Sequence, residues 1–209
     1  MRMLAIETAS EACSVALFDD GRLIAQDNRV IGRGHAEALV PMIAALPDKG
    51  RADCILVSLG PGSFTGVRIG LATARALGFA WGAAVQGYPT LALIAAQAQA
   101  AHPGQPVTIC TNGGHGEWFV QDFGADGMPE TSVQSQTPAA ARGDKHHSFA
   151  AGNRAHDLLE GGGAGMMVLD ILPDAAAVPL LSPALMTDDL APIYGRGPDA
   201  TPMAGRLSA

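Results

Sequence analysis

Gly60-Pro61-Gly62-Ser63-Phe64-Thr65-Gly66-Val67-Arg68-Ile69-Gly70 is the stretch whose reading settles the architecture. It follows a continuous apolar run, Cys54–Leu59, and precedes a helical apolar pattern that reaches Trp81. A run without alternation suits a parallel strand covered on both faces. Glycines after it permit positive φ and close approach of another backbone. Ser63 or Thr65 can cap the helix, and free N–H groups at a helix start can take an anion. No Gly-Lys-Ser/Thr follows, so the loop is not a Walker A. A capped tight turn and a phosphate cradle both fit it. Arg68 sits in the first helical turn, against the dipole, which calls for an anionic partner. The simplest is an internal ion pair with Glu7 or Glu11.

Upstream, Met3–Ala9 reads as a strand running into a polar loop, and Cys13–Phe18 as a second strand. Asp20-Gly21 between apolar runs marks a two-residue hairpin, with Arg22–Asp27 as the return strand. His35–Leu46 has helical spacing. Downstream come a short strand at Ala84–Gly87 and a helix at Thr90–Ala101. A second round begins at Val107. It holds strands at Val107–Cys110 and Glu117–Phe123, a weak one at Thr131–Ser135 and a short helix at Ala139–Arg142. A strand near Phe149–Ala151 and a helix from Gly152 to Glu160 follow. Met166–Leu185 is ambiguous, and the Gly/Pro/Ala-rich tail after Gly195 reads as having little structure of its own. Two rounds of one element order predict a duplicated α/β unit. Each half has a mixed sheet, and a cleft lies between an N-terminal half, 1–103, and a smaller acidic half, 104–209.

Of the 209 residues, 48 % are hydrophobic and 16 % charged, the balance of a packed globule rather than a disordered chain. Residues 1–104 carry eight basic and eight acidic groups, and residues 105–209 five and twelve, so the formal charge of −7 belongs to the second half. With only Lys49 and Lys145 as lysines, the chain has no basic patch for holding nucleic acid by itself. Cys13, Cys54 and Cys110 are widely spaced and read as buried small hydrophobes. The histidines form neither H-E-x-x-H nor H-x-x-x-H, so no metal site is expected. No apolar stretch suits a membrane span, and Met1–Glu7 lacks a signal peptide's apolar core, so a cytoplasmic protein is expected.

The Gly60–Gly70 run resembles the bacterial TsaB (YeaZ) family of tRNA threonylcarbamoyladenosine biosynthesis proteins. So do Leu4-Ala5-Ile6-Glu7-Thr8-Ala9, Cys13–Leu17, His35–Met42 and Ala191-Pro192-Ile193-Tyr194-Gly195-Arg196. The likeness is strong over residues 1–100 and patchy beyond. It implies the actin/hexokinase/Hsp70-like (ribonuclease H-like) fold, with mixed five-stranded sheets flanked by helices. It also implies a non-catalytic subunit that supports a TsaD-like paralogue. That enzyme transfers threonylcarbamoyl to N6 of adenosine 37 in tRNAs reading codons that start with A. A TsaE-like ATPase joins them, a homodimer forms when TsaD is absent, and tRNA is met only through the complex. TsaD-type enzymes carry a metal-binding H-x-x-x-H pair that this chain lacks. Glu7 stands where the kinase-like fold often has Asp. Cys110-Thr111-Asn112-Gly113-Gly114 has no Asp where the second half usually does, and Thr137–Asn153 is short for the family.

Residues expected at a loop or nucleotide contact are Glu7, Thr8, Gly62, Ser63, Thr65, Gly66 and Arg68. Gly62 and Gly66 are expected there for backbone freedom. No catalytic residue and no cofactor beyond weak ATP or ADP is assigned. Val67–Trp81 carries only Arg68 and Arg75 as charges, and His35–Leu46 only Glu37. Helices so apolar must be covered nearly all round. Either Thr90–Ala101 or the second half covers them, or a partner does. The resemblance assigns the partner interface to these helices, at His35, Leu39, Met42, Ile69, Ala72, Ala76 and Ala80. Two alternatives stand beside the scaffold. One is a small-molecule kinase or other ATP-binding enzyme of the same fold. The other, much weaker, is a glycoprotease-like peptidase with Ser63 as nucleophile, although Gly-Pro-Gly-Ser-Phe is not G-x-S-x-G.

Overall fold

The first half of the computed structural model, which describes residues 1–160 and 165–195, is built on a three-strand meander. β1 (Arg2–Glu7), β2 (Ala12–Asp19) and β3 (Arg22–Val30) pair antiparallel. Asp20 and Gly21 turn the hairpin with φ of 48° and 77°, the left-handed pair such a turn requires. β3 runs three residues past the expected Asp27, because its edge pairing with β2 continues to Ala12 opposite Val30. α1 (His35–Ala45) leads to β4 (Cys54–Ser58), which lies parallel to β1. α2 (Phe64–Trp81) leads to β5 (Ala84–Tyr88), parallel to β4. α3 (Thr90–Ala101) closes the unit. The sheet order is β3-β2-β1-β4-β5.

The second half repeats the plan on a reduced scale. β6 (Val107–Gly114), β7 (Glu117–Phe123) and β8 (Gln134–Gln136) form the meander. α4 (Pro138–Gly143), β9 (Phe149–Ala151), α5 (Ala155–Leu158) and β10 (Met167–Leu169) follow. β9 lies parallel to β6, and β10 to β9, giving the order β10-β9-β6-β7-β8. Two five-stranded mixed sheets of one topology are the duplicated actin/hexokinase/Hsp70-like unit. The trimming falls on the helices: α4 and α5 have six and four residues, against eleven and eighteen in α1 and α2. α5 starts later than expected because Gly152, at φ 113°, is outside helical backbone; a Cβ there would lie 2.3 Å from the Cys110 carbonyl oxygen. The expected Thr131–Ser135 strand shifts to Gln134–Gln136, and part of the ambiguous Met166–Leu185 region forms β10. Residues 161–164, which follow the expected helix end at Glu160, and the tail from Arg196 lie outside the described residues.

The main core lies between the sheets. α3 is buried along most of its length, at Leu91, Leu93, Ile94, Ala95 and Ala98 among others. It packs with Phe119, Phe123 and Phe149 of the second half and with a 3-10 turn over Ala175–Leu180. So α3 does not cover α2, one of the two intramolecular covers considered. A second core, with Leu39, Met42, Ile43, Val67, Leu71 and Ala74, lies under α1 and α2 on the opposite face of the first sheet. The expected division at residue 104 is crossed by the C-terminal strap. Thr187 exchanges both backbone hydrogen bonds with Gly87, and Ile193 N–H donates to the Leu59 carbonyl. Cys13 and Cys110 are fully buried in the cores, as small hydrophobes are.

Candidate functional site

The loop between β4 and α2 is locked against the loop between β1 and β2. Ser63 N–H donates to the Ala9 carbonyl at 2.7 Å, and Thr8 Oγ1 donates to the Gly66 carbonyl at 2.8 Å. A Cβ on Gly62 would lie 2.1 Å from the Ala9 carbonyl oxygen, and one on Gly66 2.1 Å from that of Thr8. These glycines are therefore required for close approach and not for left-handed backbone, which corrects the expected reason. Positive φ falls on Gly60 instead, at 90°. Ser63 is the N-cap of α2, its Oγ accepting from Gly66 N–H at 3.2 Å. Thr65, a residue inside the helix, is exposed and caps nothing.

Glu7 is fully buried at the end of β1. Its Oε1 accepts from Ala9 N–H at 2.6 Å, and Oε2 is buried with no hydrogen-bond partner. Burial pushes this carboxyl from 4.5 up to about 7, against the pull of the Ala9 N–H and of Ser58 and Tyr88. Tyr88 itself donates to the Ile6 carbonyl at 2.9 Å, and burial pushes its phenol well above the ordinary value.

Arg68 does not pair with Glu7 or Glu11. Its guanidinium lies 3.4 Å above the Phe64 ring, and Nη2 donates to the Tyr194 hydroxyl at 3.0 Å. The dipole penalty is met by a cation–π contact rather than by an acid. Phe64 and Tyr194 lie 5.9 Å apart and complete the cluster.

This cluster stands at one side of a cleft of about 970 Å³ between the halves, lined among others by Ala9, Glu11, Ile94, Asn112, Phe119 and Asn153. Asn153 joins its walls: Nδ2 donates to Glu11 Oε1 at 2.8 Å, and Oδ1 accepts from Asn112 N–H at 3.0 Å. Of the expected contact residues, Gly62, Ser63 and Arg68 line the cleft, and Glu7, Thr8, Thr65 and Gly66 do not. Phe64, Asn153 and Tyr194 line it as well, without being expected there. The aromatic within the Gly60–Gly70 run, the Gly152-Asn153 break and the Ala191–Arg196 stretch are what hint at them in the sequence. No group of three or more His, Cys, Asp or Glu gathers as metal ligands among the described residues.

The two helices expected to meet a partner divide more sharply than their spacing implied. His35, Leu39 and Met42 point inward, a correction to their expected place on the interface. Leu39 and Met42 belong to the core beneath α1, and His35 Nε2 donates to the Ala12 carbonyl at 3.2 Å. Ile69 is half-buried against the same core. Ala72, Ala76 and Ala80 on α2 are exposed, and so are Val40, Pro41 and Ala44 on α1. Neither the second half nor α3 covers this surface, whose α1 side also carries the exposed Glu37.

The fold and cleft place the chain among actin/hexokinase/Hsp70-like proteins, and its relatives narrow the class. The family model for TsaD, tRNA N6-adenosine threonylcarbamoyltransferase, matches residues 29–151, more than half of the chain. The tRNA threonylcarbamoyladenosine biosynthesis protein TsaB of Escherichia coli (strain K12) is 34 % identical over 131 residues, 60 % of this chain and 56 % of that protein. TsaB of Haemophilus influenzae is 39 % identical over 106 residues, 48 % of this chain and 43 % of that protein. The structure of YeaZ from Pseudomonas aeruginosa matches with a TM-score of 0.74 and 27 % identity, covering 92 % of this chain and 99 % of that one. The chain belongs to the family that the TsaD model describes, and these relatives within it are TsaB and YeaZ proteins. It spans about half the length of the curated relatives it matches. No helix among the described residues is long and apolar enough to cross a membrane.

Proposed function

We propose that the chain takes part in tRNA threonylcarbamoyladenosine biosynthesis as a non-catalytic scaffold for a TsaD-like enzyme. The observation that carries this reading is the stretch of small and apolar side chains on the outer surface of α1 and α2, with Val40, Ala44, Ala72, Ala76 and Ala80 exposed and bare. Small side chains let helices approach closely, and an apolar face of this size needs a cover. The names of its relatives support TsaD as that cover. A second copy of the chain takes the same face when TsaD is absent, and a TsaE-like ATPase completes the complex. tRNA is modified only by the assembly.

Ala76→Glu places a carboxylate in the middle of this face. The variant, shown to be folded by circular dichroism, is expected to elute as a monomer and to lose capture of TsaD. Parental binding of TsaD by the folded variant would put the interface elsewhere. The isolated chain is expected to give no threonylcarbamoyl transfer from threonylcarbamoyl-adenylate to tRNA. The inter-lobe cleft favours a second reading, a small-molecule kinase or ATP-binding enzyme. Calorimetric titration with Mg-ATP decides it, micromolar binding with turnover being the result that supports the enzyme.

A further inference from the structure

α2 carries two surfaces. At about 100° per residue, Ala72, Ala76 and Ala80 span an arc of about 80°, which is the bare face. Phe64, Arg68, Arg75 and Phe79 fall within an adjoining arc of about 60° and form a ridge about 22 Å long. Phe64 is 58 % exposed and Phe79 92 %, and both arginines are exposed between them. Tyr194, 54 % exposed, widens the ridge at the Phe64 end.

Both guanidinium groups are held in place without being neutralised. Arg68 lies on Phe64 and donates to Tyr194, and Arg75 Nη2 donates to the Leu190 carbonyl at 3.1 Å. Neither forms an ion pair among the described residues. The acids of the nearby strap are engaged elsewhere: Asp188 accepts from Gln86 and Asp189 from Ala191 N–H. On a chain of net charge −7, two fixed and unpaired cations set between exposed rings are a distinct feature. Set against an apolar protein surface, the two guanidinium groups would lose water without gaining an anion. A phosphate-bearing chain with planar bases uses both the cations and the rings.

We propose that this ridge is a contact for unpaired RNA nucleotides, with Arg68 and Arg75 meeting phosphates and Phe64, Phe79 and Tyr194 offering faces for base stacking. That the RNA is a tRNA rests on the proposed scaffold function; the ridge does not. Two arginines displace the counterions of two phosphates at most. Binding by the chain alone is therefore weak, with a logarithmic salt slope of about 1.4 for single strands.

The test titrates the isotope-labelled 209-residue chain with a seven-nucleotide single-stranded RNA at low salt, and separately with the corresponding duplex. Amide shifts are expected along residues 64–79 and at Tyr194, with the single strand preferred. Arg68→Gln combined with Arg75→Gln, confirmed as folded, is expected to weaken binding about tenfold and to bring the salt slope near zero. Arg68→Lys, which keeps the charge and loses the planar stack, is expected to fall between. The absence of shifts at millimolar RNA, shifts confined to other elements, equal affinity for duplex or an unchanged salt slope would each overturn the proposal. So would a tenfold loss of TsaD binding in the double variant, which would give the ridge to the protein interface. If TsaD fails to bind even the parent chain, the scaffold reading fails, and the RNA titration still decides the ridge.

Discussion

Gly66 and Glu7 show how single positions are constrained by what lies against them. A methyl group on Gly66 would meet the Thr8 carbonyl oxygen, a backbone atom fixed by β1 and unable to swing aside. Gly66→Ala is therefore expected to lower stability by roughly 1–3 kcal/mol, the range for forced overpacking, with a matching fall in Tm. Gly143, at the end of α4, has no left-handed φ, and a Cβ added there would meet nothing within 4 Å. Gly143→Ala should be neutral or stabilising by up to about 1 kcal/mol, so the pair separates steric need from composition. Glu7 is constrained by solvation. Its native carboxyl titrates near 7 and its ordinary value is 4.5, so the native state favours the neutral acid. That contribution is fully present below pH 4.5, declines as pH rises, and is lost once pH passes about 7. The difference amounts to roughly 3 kcal/mol between the two ends. Glu7→Gln keeps an acceptor for Ala9 N–H and removes the titration. Its stability gain over the parent should be large at about pH 8 and small at about pH 4.5, as denaturant melts at the two pH values would show. Equal gains at both would mean that Glu7 does not titrate in this range.

At the scale of elements, α2 was legible in the sequence from the Gly60–Gly70 run onward, because its signals are local. A Ser cap, a buried strand before it and an apolar period over eighteen residues need no knowledge of the rest of the chain. The Asp20-Gly21 hairpin was legible for the same reason. What lay beyond reach depended on distant residues. Arg68 calls for an acid, with Glu7 or Glu11 expected, but its partner is the Tyr194 hydroxyl, 126 residues away. His35, Leu39 and Met42 lie on the inner side of α1, and an apolar period gives the spacing of a stripe without saying which stripe faces the sheet. In the second half, helices of six and four residues are too short to leave a period at all. The inward placement has a measurable consequence. Leu39→Ala empties a fully buried position and should cost about 2–5 kcal/mol, whether or not a partner is present. Ala76→Glu, on the outer face, should leave the melting curve of a monomer nearly unchanged. A Leu39→Ala chain that melts like the parent yet fails to bind TsaD would return that residue to the interface.

The whole molecule consists of two sheets sharing one core, and that arrangement decides how it unfolds. A chain of two α/β units joined by a linker would melt in two steps. Here α3 comes from the first half and the Ala175–Leu180 turn from the second, and both are packed between the sheets. Tyr88 and Leu91 of the first half share that core with Phe119, Phe123 and Phe149 of the second. The strap adds backbone hydrogen bonds from Thr187 and Ile193 back to the first half, and Asn153 ties Glu11 to Asn112 across the cleft. Unfolding either half alone would expose the apolar face of the other, which raises the free energy of any half-folded state. The two tryptophans are placed to report this, Trp81 at the end of α2 and Trp118 in β7. Trp81→Phe leaves a probe only in the second half, and Trp118→Phe only in the first. After each midpoint is referred to far-ultraviolet dichroism of the same variant, both fluorescence transitions should coincide with the dichroism in urea. A fluorescence midpoint in the Trp81→Phe variant well below its own dichroism midpoint would mean that the short-helixed second half melts first and that the shared core does not couple the two.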